Sequence, residues 1–220
     1  MMRYLTPSLM AVCLVALVPA DARGQHACIG VKGGLNVSTL SVDDPADPDL
    51  AFDSQAGLVL GAFIQCGPKG WFTLQGEVVY SQNGAKARSE DASSLNLNYI
   101  RVPILLVGRL ASLDGPLYPI LYAGPQVAFE TSCNVNREEG GGSTSTGCDS
   151  EELDDPLDTN NVEFGLVFGG GVEVQFGGLK GQLDARYNLG LTNLNGGTDA
   201  SAVSVKNRGW SLTVGLGKLF

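Results

Sequence analysis

The sequence has little of what catalysis, nucleic-acid binding or a membrane-spanning helix requires. It contains one histidine, His26, and 14 lysine and arginine residues against 23 aspartate and glutamate residues, which gives a formal net charge of −9. A lone histidine gives little support for Ser-His or Asp-His chemistry, and a negative charge disfavours nucleic acid as a partner. No cysteine or histidine pair has the spacing of a zinc site. We therefore predict a protein that is not an enzyme and holds no cofactor or metal.

The amino terminus has the composition of a secretory signal peptide. Arg3 precedes an apolar run at 9–18, and small residues follow at Ala20 and Ala22. A basic start, an apolar stretch and a small-residue cleavage site form this pattern. The run is too short for a spanning helix, and no later run reaches 18 apolar residues. We predict a signal peptide at 1–20, cleaved after Ala20 or Ala22, and one domain at 21–220.

The carboxy-terminal segment, 207–220, alternates apolar residues with small or polar ones. Its apolar positions are Trp210, Leu212, Val214, Leu216 and Phe220. A two-residue period predicts a strand with one apolar face. A strand that runs to a terminal aromatic residue is typical of the closing strand of a transmembrane barrel.

Seven more segments alternate in the same way, so the sequence predicts eight strands. The segments are 28–37, 55–66, 71–82, 95–110, 117–130, 161–176, 179–191 and 207–220. In the fourth segment, Leu95, Leu97 and Tyr99 stand at odd-numbered positions, whereas the apolar residues of 100–106 stand at even-numbered ones. A β-bulge near Tyr99 would bring both sets to one face of the strand. The connections alternate between long and short, as in outer-membrane barrels. We predict an all-β fold, an eight-stranded antiparallel up-and-down transmembrane β-barrel.

The strand positions that alternate with the apolar ones carry many charged residues. These charges indicate which way the apolar face of the wall points. The dry interior of a soluble barrel cannot hold many ions unless they pair, whereas a transmembrane barrel turns its apolar residues to lipid. Eight strands leave a lumen that side chains can fill, so we predict a plugged polar interior. Its predicted ionic network comprises Lys32, Glu77, Arg101, Glu173, Asp184 and Arg186. Strand order suggests that Glu77 pairs with Arg101, and that Glu173 groups with Asp184 and Arg186.

Aromatic and glycine residues fit the same arrangement. Aromatic residues near segment ends predict girdles at the membrane interfaces, with ordinary β-propensity as the alternative explanation. Glycines on the polar parity leave space for long lumen side chains. The aromatic residues are Phe72, Tyr80, Phe129, Phe164, Phe176, Trp210 and Phe220, and the glycines are Gly57, Gly61, Gly165, Gly169, Gly215 and Gly217.

Four cysteines remain after the predicted signal peptide, an even number in an oxidising compartment. Cys133 and Cys148 bracket one acidic, glycine-rich loop, so we predict that they pair. Cys28 and Cys66 are predicted to pair across the first hairpin, because residues whose numbers sum to about 94 lie opposite each other there. Free thiols are the alternative. For the acidic loops at 43–49 and 149–155 two interpretations stay open. One is the binding of divalent cations, and the other is a solvated surface that binds no ion.

Several segments together resemble the PorT-like outer-membrane β-barrel family. The matching runs are 29–36 (IGVKGGLN), 57–62 (GLVLGA), 74–82 (LQGEVVYSQ), 97–106 (LNYIRVPILL), 122–125 (YAGP) and 168–173 (FGGGVE). Arg101 stands where that family usually has glutamate. The resemblance covers nearly the whole mature chain and implies an eight-stranded barrel in the outer membrane. One member is tied to a protein secretion and gliding system, so the resemblance also implies an accessory role in export as one alternative.

We predict a non-enzymatic barrel in the outer membrane of a diderm bacterium, with a structural or interaction role. Its predicted partners are outer-membrane lipid and proteins that contact the long acidic extracellular loops or the periplasmic turns. A narrow passive channel and an accessory component of a protein-export system are the alternatives. A lipid-modifying barrel enzyme is disfavoured because the predicted outer face lacks histidine. A soluble ligand-binding barrel would require the opposite orientation of the apolar face.

Overall fold

The computed structural model describes residues 25–43, 52–68, 71–87, 93–110, 116–139, 142–147, 162–192 and 204–220. The predicted signal peptide and its cleavage site lie outside these residues, as does most of both acidic loops. Among the described residues, no helix is long and apolar enough to cross a membrane.

Nine strands are present in this part of the chain. They are β1 (Gln25–Asp43), β2 (Phe52–Pro68), β3 (Phe72–Ala87), β4 (Ser93–Arg109), β5 (Leu117–Glu139), β6 (Gly142–Gly147), β7 (Val162–Phe176), β8 (Leu179–Gly190) and β9 (Ser204–Leu219).

Eight of the strands close into a barrel with antiparallel neighbours. β1 pairs with both β2 and β9, and the ring is completed through β3, β4, β5, β7 and β8. The ninth strand, β6, pairs only with the far end of β5, from Asn134 to Glu139, and forms a hairpin extension outside the ring. Closure leaves no unpaired sheet edge in the wall, which a bilayer requires. The predicted eight-stranded antiparallel transmembrane barrel is confirmed.

The apolar face of the wall points outward. On β9, Leu212 and Val214 are 56% and 61% exposed, whereas Thr213 between them is 1% exposed. Large apolar side chains on the other strands, such as Val31, Leu74 and Leu121, are also exposed. Because strand residues alternate between faces, the outer surface is hydrocarbon and the inner surface carries the polar residues. The predicted orientation of the two faces is confirmed.

The two ends of the barrel differ in their connections. One end, here the short-turn end, has the connections 69–71, 110–116 and 177–178. In the last of these, Gly177 and Gly178 have φ values of 54° and 81°, the backbone of a two-residue hairpin turn that glycine adopts without strain. The other end, the loop end, has the connections 44–51, 88–92, 191–203 and, between β5 and β7, 140–161, which contains β6.

The strands run further toward the loop end than the alternation predicted. β3 ends at Ala87 and β4 begins at Ser93, so most of the predicted loop between them is strand. Crossing a bilayer takes about 9–11 residues of tilted strand, so β5, at 23 residues, projects well beyond it. His26, predicted to precede the first strand, lies within β1 opposite Gly67.

The predicted irregularity near Tyr99 exists, but its effect differs from the prediction. The β4–β5 register shifts between Asn98 and Tyr99, and the extra residue, Thr131, belongs to β5. β4 therefore keeps its own alternation, so Leu97 and Tyr99 face the lumen, where they are 2% and 0% exposed. The prediction that they share the lipid face with 100–106 is wrong, because the bulge sits on the partner strand.

Candidate functional site in the barrel lumen

Four ionised side chains meet across the lumen and form the central ion cluster: Lys32 on β1, Glu77 on β3, and Asp184 and Arg186 on β8. Lys32 Nζ lies 3.0 Å from Glu77 Oε1 and 3.6 Å from Asp184 Oδ2. Arg186 contacts Glu77 Oε2 at 2.7 Å and Asp184 Oδ1 at 3.2 Å. All four side chains are almost completely buried. Two cations balance two carboxylates, which is the condition under which buried ions are tolerated.

Neutral donors complete the coordination of the two carboxylates. Gln75 donates to Glu77 Oε1 at 2.6 Å. Thr213 donates to Asp184 Oδ2 at 2.9 Å, and the hydroxyl of Tyr122 donates to Asp184 Oδ1. With these donors the cluster connects β1, β3, β5, β8 and β9 across the lumen, so it joins strands that are not neighbours in the wall. Both carboxylates are held by several donors each, and buried networks with satisfied charges favour one arrangement of the side chains.

A second ionic group, the rim ion group, lies toward the short-turn end and comprises Arg109, Glu173 and Lys180. Arg109 Nε donates to Glu173 Oε2 at 2.6 Å, and Lys180 Nζ lies 3.0 Å from Glu173 Oε1. Lys180 also donates to the side-chain oxygen of Gln65. The side chain of Arg109 is 19% exposed, whereas those of Glu173 and Lys180 are fully buried. This group therefore lies at the boundary between the lumen and water.

The loop-end layer of the lumen is less completely paired. The guanidinium of Arg101 lies 5.6 Å from the centre of the Tyr99 ring, a cation–π distance. Arg101 Nε and the buried Oε2 of Glu163 have no hydrogen-bond partner among the described residues. A cavity of about 10 Å³ lies between Arg101 and Arg186, which is room for about one water molecule. Water is the partner such buried polar atoms need.

Hydrocarbon fills the lumen beside β4, β5 and β7. This apolar sector consists of Leu105, Val107, Ile120, Tyr122 and Val167, and each of these is at most 4% exposed. Tyr122 joins it to the central ion cluster, because its hydroxyl bonds to Asp184 and its ring lies 5.4 Å from the Arg186 guanidinium. The polar interior that the sequence predicts is therefore accompanied by an apolar sector that the sequence analysis did not predict.

Glycines of the inner face make room for aromatic rings. A Cβ at Gly30 would touch the Phe63 ring and the backbone of β9, and a Cβ at Gly217 would lie 3.2 Å from the same ring. A Cβ at Gly169 would collide with the Tyr122 ring. Inner-face glycines were predicted to leave space for long side chains. The neighbours of Gly30 and Gly169 are aromatic rings, and a Cβ at Gly217 would meet Cys28 Sγ at 2.6 Å as well as the Phe63 ring.

The six residues predicted as one network occupy three places. Lys32, Glu77, Asp184 and Arg186 form the central ion cluster, while Glu173 belongs to the rim ion group and Arg101 to the loop-end layer. The predicted pair of Glu77 with Arg101 is wrong, and so is the predicted grouping of Glu173 with Arg186.

Both errors arose from assuming that partners stand on adjacent strands. Arg101 lies opposite Val79 rather than Glu77, and Glu77 pairs with residues across the lumen. Lys180 and Tyr122 were not singled out. Lys180 shares the parity of Asp184, so alternation alone could have placed it in the lumen.

The predicted disulfide between Cys28 and Cys66 is wrong, because both are free thiols in the structure. Residues opposite each other in the first hairpin have numbers summing to 93, so Cys28 faces Gln65 and Cys66 faces Ala27. A shift of one residue places the two side chains on opposite faces of the wall. Cys133 is disulfide-bonded, but Cys148 lies outside the described residues, so their pairing stays a prediction.

Within the described ranges, no group of three or more histidine, cysteine, aspartate or glutamate residues has the arrangement of a metal site. The side chain of His26 and most of the acidic loop residues are not among those described. The chemistry that the lumen supports is therefore mutual pairing of ions, in which each cluster carboxylate is already held by cations and neutral donors.

The chain is similar to known outer-membrane proteins. A family model described as an outer membrane protein beta-barrel domain matches residues 21–196. The fold is similar to that of the outer membrane protein OprG from Pseudomonas aeruginosa, with a TM-score of 0.50 and 11% identity, covering 90% of this chain and 96% of that chain.

Two further solved structures are similar over most of their length. Neisserial surface protein A has a TM-score of 0.48 and 15% identity, covering 86% of this chain and 96% of that chain. Ail, the attachment invasion locus protein of Yersinia pestis, has a TM-score of 0.45 and 15% identity, covering 90% and 99%. No curated protein matches this chain. At such identities the likeness to solved structures concerns the fold alone.

Proposed function

The chain belongs to the outer membrane protein beta-barrel domain family, and on that premise we propose that it is a non-enzymatic barrel of structural or interaction type with a closed lumen. It resides in the outer membrane, with its apolar wall in contact with lipid. Small barrels of one fold carry different functions, so the function of this chain depends on its own lumen and loop end.

The central ion cluster is the observation that carries the proposal. Its four side chains reach from β1 and β3 to β8, and the cavity beside it holds only about 10 Å³. A diffusion path for hydrated ions needs a continuous water-filled opening, whereas eight-stranded barrels have a lumen that side chains can fill. The carboxylates of Glu77 and Asp184 are held by cations on both sides, as in a structural ion network rather than a catalytic pair.

Interaction at the loop end is supported by the extended strands. β5 runs to Glu139 and forms a hairpin with β6, from Gly142 to Gly147, beyond the closed ring. In barrels of this class long loops face the outside of the cell. The projecting hairpin offers a contact surface for an extracellular partner, and the predicted Cys133–Cys148 bridge would brace it. Membership of the PorT-like subgroup, and with it an accessory role in export, remains the alternative that co-purifying periplasmic or membrane partners would favour.

Conductance in planar lipid bilayers tests the closed lumen. We expect the purified protein to give no discrete current steps. The double variant Glu77→Ala with Arg186→Ala removes one cation and one carboxylate and leaves Lys32 beside Asp184 at 3.6 Å. The charges in the lumen stay balanced, but the side chains fill less of it and open space is created. We expect this variant to conduct.

A matched control carries two truncations on the outer face, Leu212→Ala with Val214→Ala, which leave the lumen unchanged. We expect it to remain silent. Stable open steps from the unaltered protein would favour the narrow-channel alternative and contradict the proposal.

A further inference from the structure

The outward face of the wall changes from apolar to amide-bearing just above the apolar belt on β3, β4 and β5. Tyr80 lies opposite Ile100, which lies opposite Phe129, and these are the last apolar outward positions toward the loop end. In the next outward row Gln82 lies opposite Asn98. In the row after that, Gly84, Asn96 and Asn134 lie side by side.

These amides line a pocket in the outer surface of the wall, here the amide pocket. Its volume is about 310 Å³, and its lining consists of Gln55, Ala56, Gln82, Asn83, Asn96, Asn98 and Asn134. Gln55 joins this face because β2 and β3 lose register between Ser54 and Val59, and it reaches across Gly84 to Asn96 at 2.6 Å. The volume lies at the lower end of the range for small-molecule sites.

The lining residues that the structure describes are uncharged and keep hydrogen-bonding capacity. Gln55 donates to Asn96, Asn98 donates to Ser132 at 2.7 Å, and Gln82 accepts from the Leu58 backbone at 3.3 Å. Each amide carries both a carbonyl oxygen and an NH₂ group, so the bonds made by Asn98 and Gln82 each leave one half of the amide for a ligand. The buried Oε1 of Gln55 has no partner among the described residues.

A ligand for this pocket must be neutral and rich in groups that both donate and accept hydrogen bonds. It must also be present just above the apolar belt of the barrel. Phosphate and carboxylate groups are bound best by Arg and Lys, and neither residue type is among the described lining residues. Hydroxyl groups are neutral and can both donate a hydrogen bond to an amide oxygen and accept one from an amide NH₂ group. The pocket opens on the lipid-facing side, directly above Tyr80 and Ile100, where the polar heads of outer-leaflet lipids lie. We propose that the amide pocket binds the saccharide portion of an outer-leaflet glycolipid.

Native mass spectrometry tests this with protein in tetraethylene glycol monooctyl ether, a detergent without sugar. The probes are rough lipopolysaccharide, which carries core sugars, and phosphatidylglycerol, which carries none. We expect lipopolysaccharide to be retained in preference to phosphatidylglycerol. Asn96→Ala with Asn98→Ala removes two to three hydrogen bonds and should weaken retention about tenfold.

The matched control makes the same change on the inner face, Asn188→Ala with Asn207→Ala, and should retain lipopolysaccharide unchanged. Heat-modifiable gel mobility reports whether each variant is a closed barrel, and Gln82→Ala serves as a second pocket variant if the double variant fails to fold. Equal retention by pocket variants and control would overturn the proposal. So would equal retention of phosphatidylglycerol, because that lipid offers the amide pocket no sugar.

Discussion

Across the middle of the lumen, side chains from β1, β3 and β8 meet as ions, whereas those from β4, β5 and β7 meet as hydrocarbon. The central ion cluster has two cations and two carboxylates with defined partners. The apolar sector has Leu105, Val107, Ile120 and Val167 packed together, with Tyr122 touching both. Both fill space to the same degree, since the members of each are almost fully buried.

The two sectors differ in how they respond to the loss of one member. Hydrocarbon packing loses free energy in proportion to the volume removed. A buried ion that loses its partner keeps its whole desolvation penalty, although exchanging an entire pair for apolar residues is often neutral or stabilising. The ionic sector is therefore sensitive to the loss of any single member, whichever member is removed. The apolar sector tolerates graded change.

The largest expected effect is the loss of Arg186. Arg186→Met leaves Glu77 and Asp184 to share Lys32, and breaking a buried pair costs about 3–5 kcal/mol of unfolding free energy. Arg101→Met makes the same chemical change in the loop-end layer, where the Nε of Arg101 has no partner among the described residues and Tyr99 lies alongside. We expect a smaller cost there, about 1–3 kcal/mol, because the variant loses a cation–π contact and the charge attraction to the buried Glu163 carboxylate, but no ion pair as close as those of Arg186.

Urea unfolding in lipid vesicles, followed by the fluorescence of Trp71 and Trp210, measures both variants. The ratio of the two costs is the informative quantity, since size and charge change identically. If Arg101→Met destabilised the barrel as much as Arg186→Met, the loop-end layer would have to be as tightly paired as the central ion cluster.

The apolar sector should give an intermediate and graded effect. Ile120 is 1% exposed within it, so Ile120→Val removes one methylene and should cost about 0.5–1.5 kcal/mol, while Ile120→Ala should cost about 2–4 kcal/mol. The same unfolding measurement gives both values. A cost for Ile120→Val close to that for Ile120→Ala would mean that this sector also responds as a unit, and the distinction between the sectors would fail.

The eight barrel strands and the direction of their faces were predictable from the sequence. Alternation at 207–220 places Leu212 and Val214 on one side and Thr213 on the other, and a lipid bilayer imposes that pattern on every strand. The inner location of Lys32, Glu77 and Arg186 follows from the same parity. These predictions depend only on a residue's own position along its strand.

Pairing within the lumen was not predictable, because it depends on the register of all strands together. Glu77 on β3 meets Arg186 on β8, which is four strands away around either side of the ring, and no local pattern encodes that contact. In the first hairpin the numbers of opposite residues sum to 93 instead of the predicted 94, and this shift of one residue separates Cys28 from Cys66. Leu97 and Tyr99 were assigned to lipid because apolar character alone cannot distinguish a lumen position from a lipid position.

The smallest expected effect lies at the short-turn end and tests where the ionic sector meets water. Arg109→Ala removes a partner of Glu173, but Lys180 still holds that carboxylate at 3.0 Å. Because the Arg109 side chain is partly exposed, we expect a cost of about 1 kcal/mol at low salt, close to that of surface pairs, which shrinks as added salt screens the contact. Lys180→Met, at a fully buried cation, should cost more at every salt concentration and depend less on it. The same salt dependence for both variants would place the rim ion group wholly inside the lumen and move the water boundary beyond Arg109.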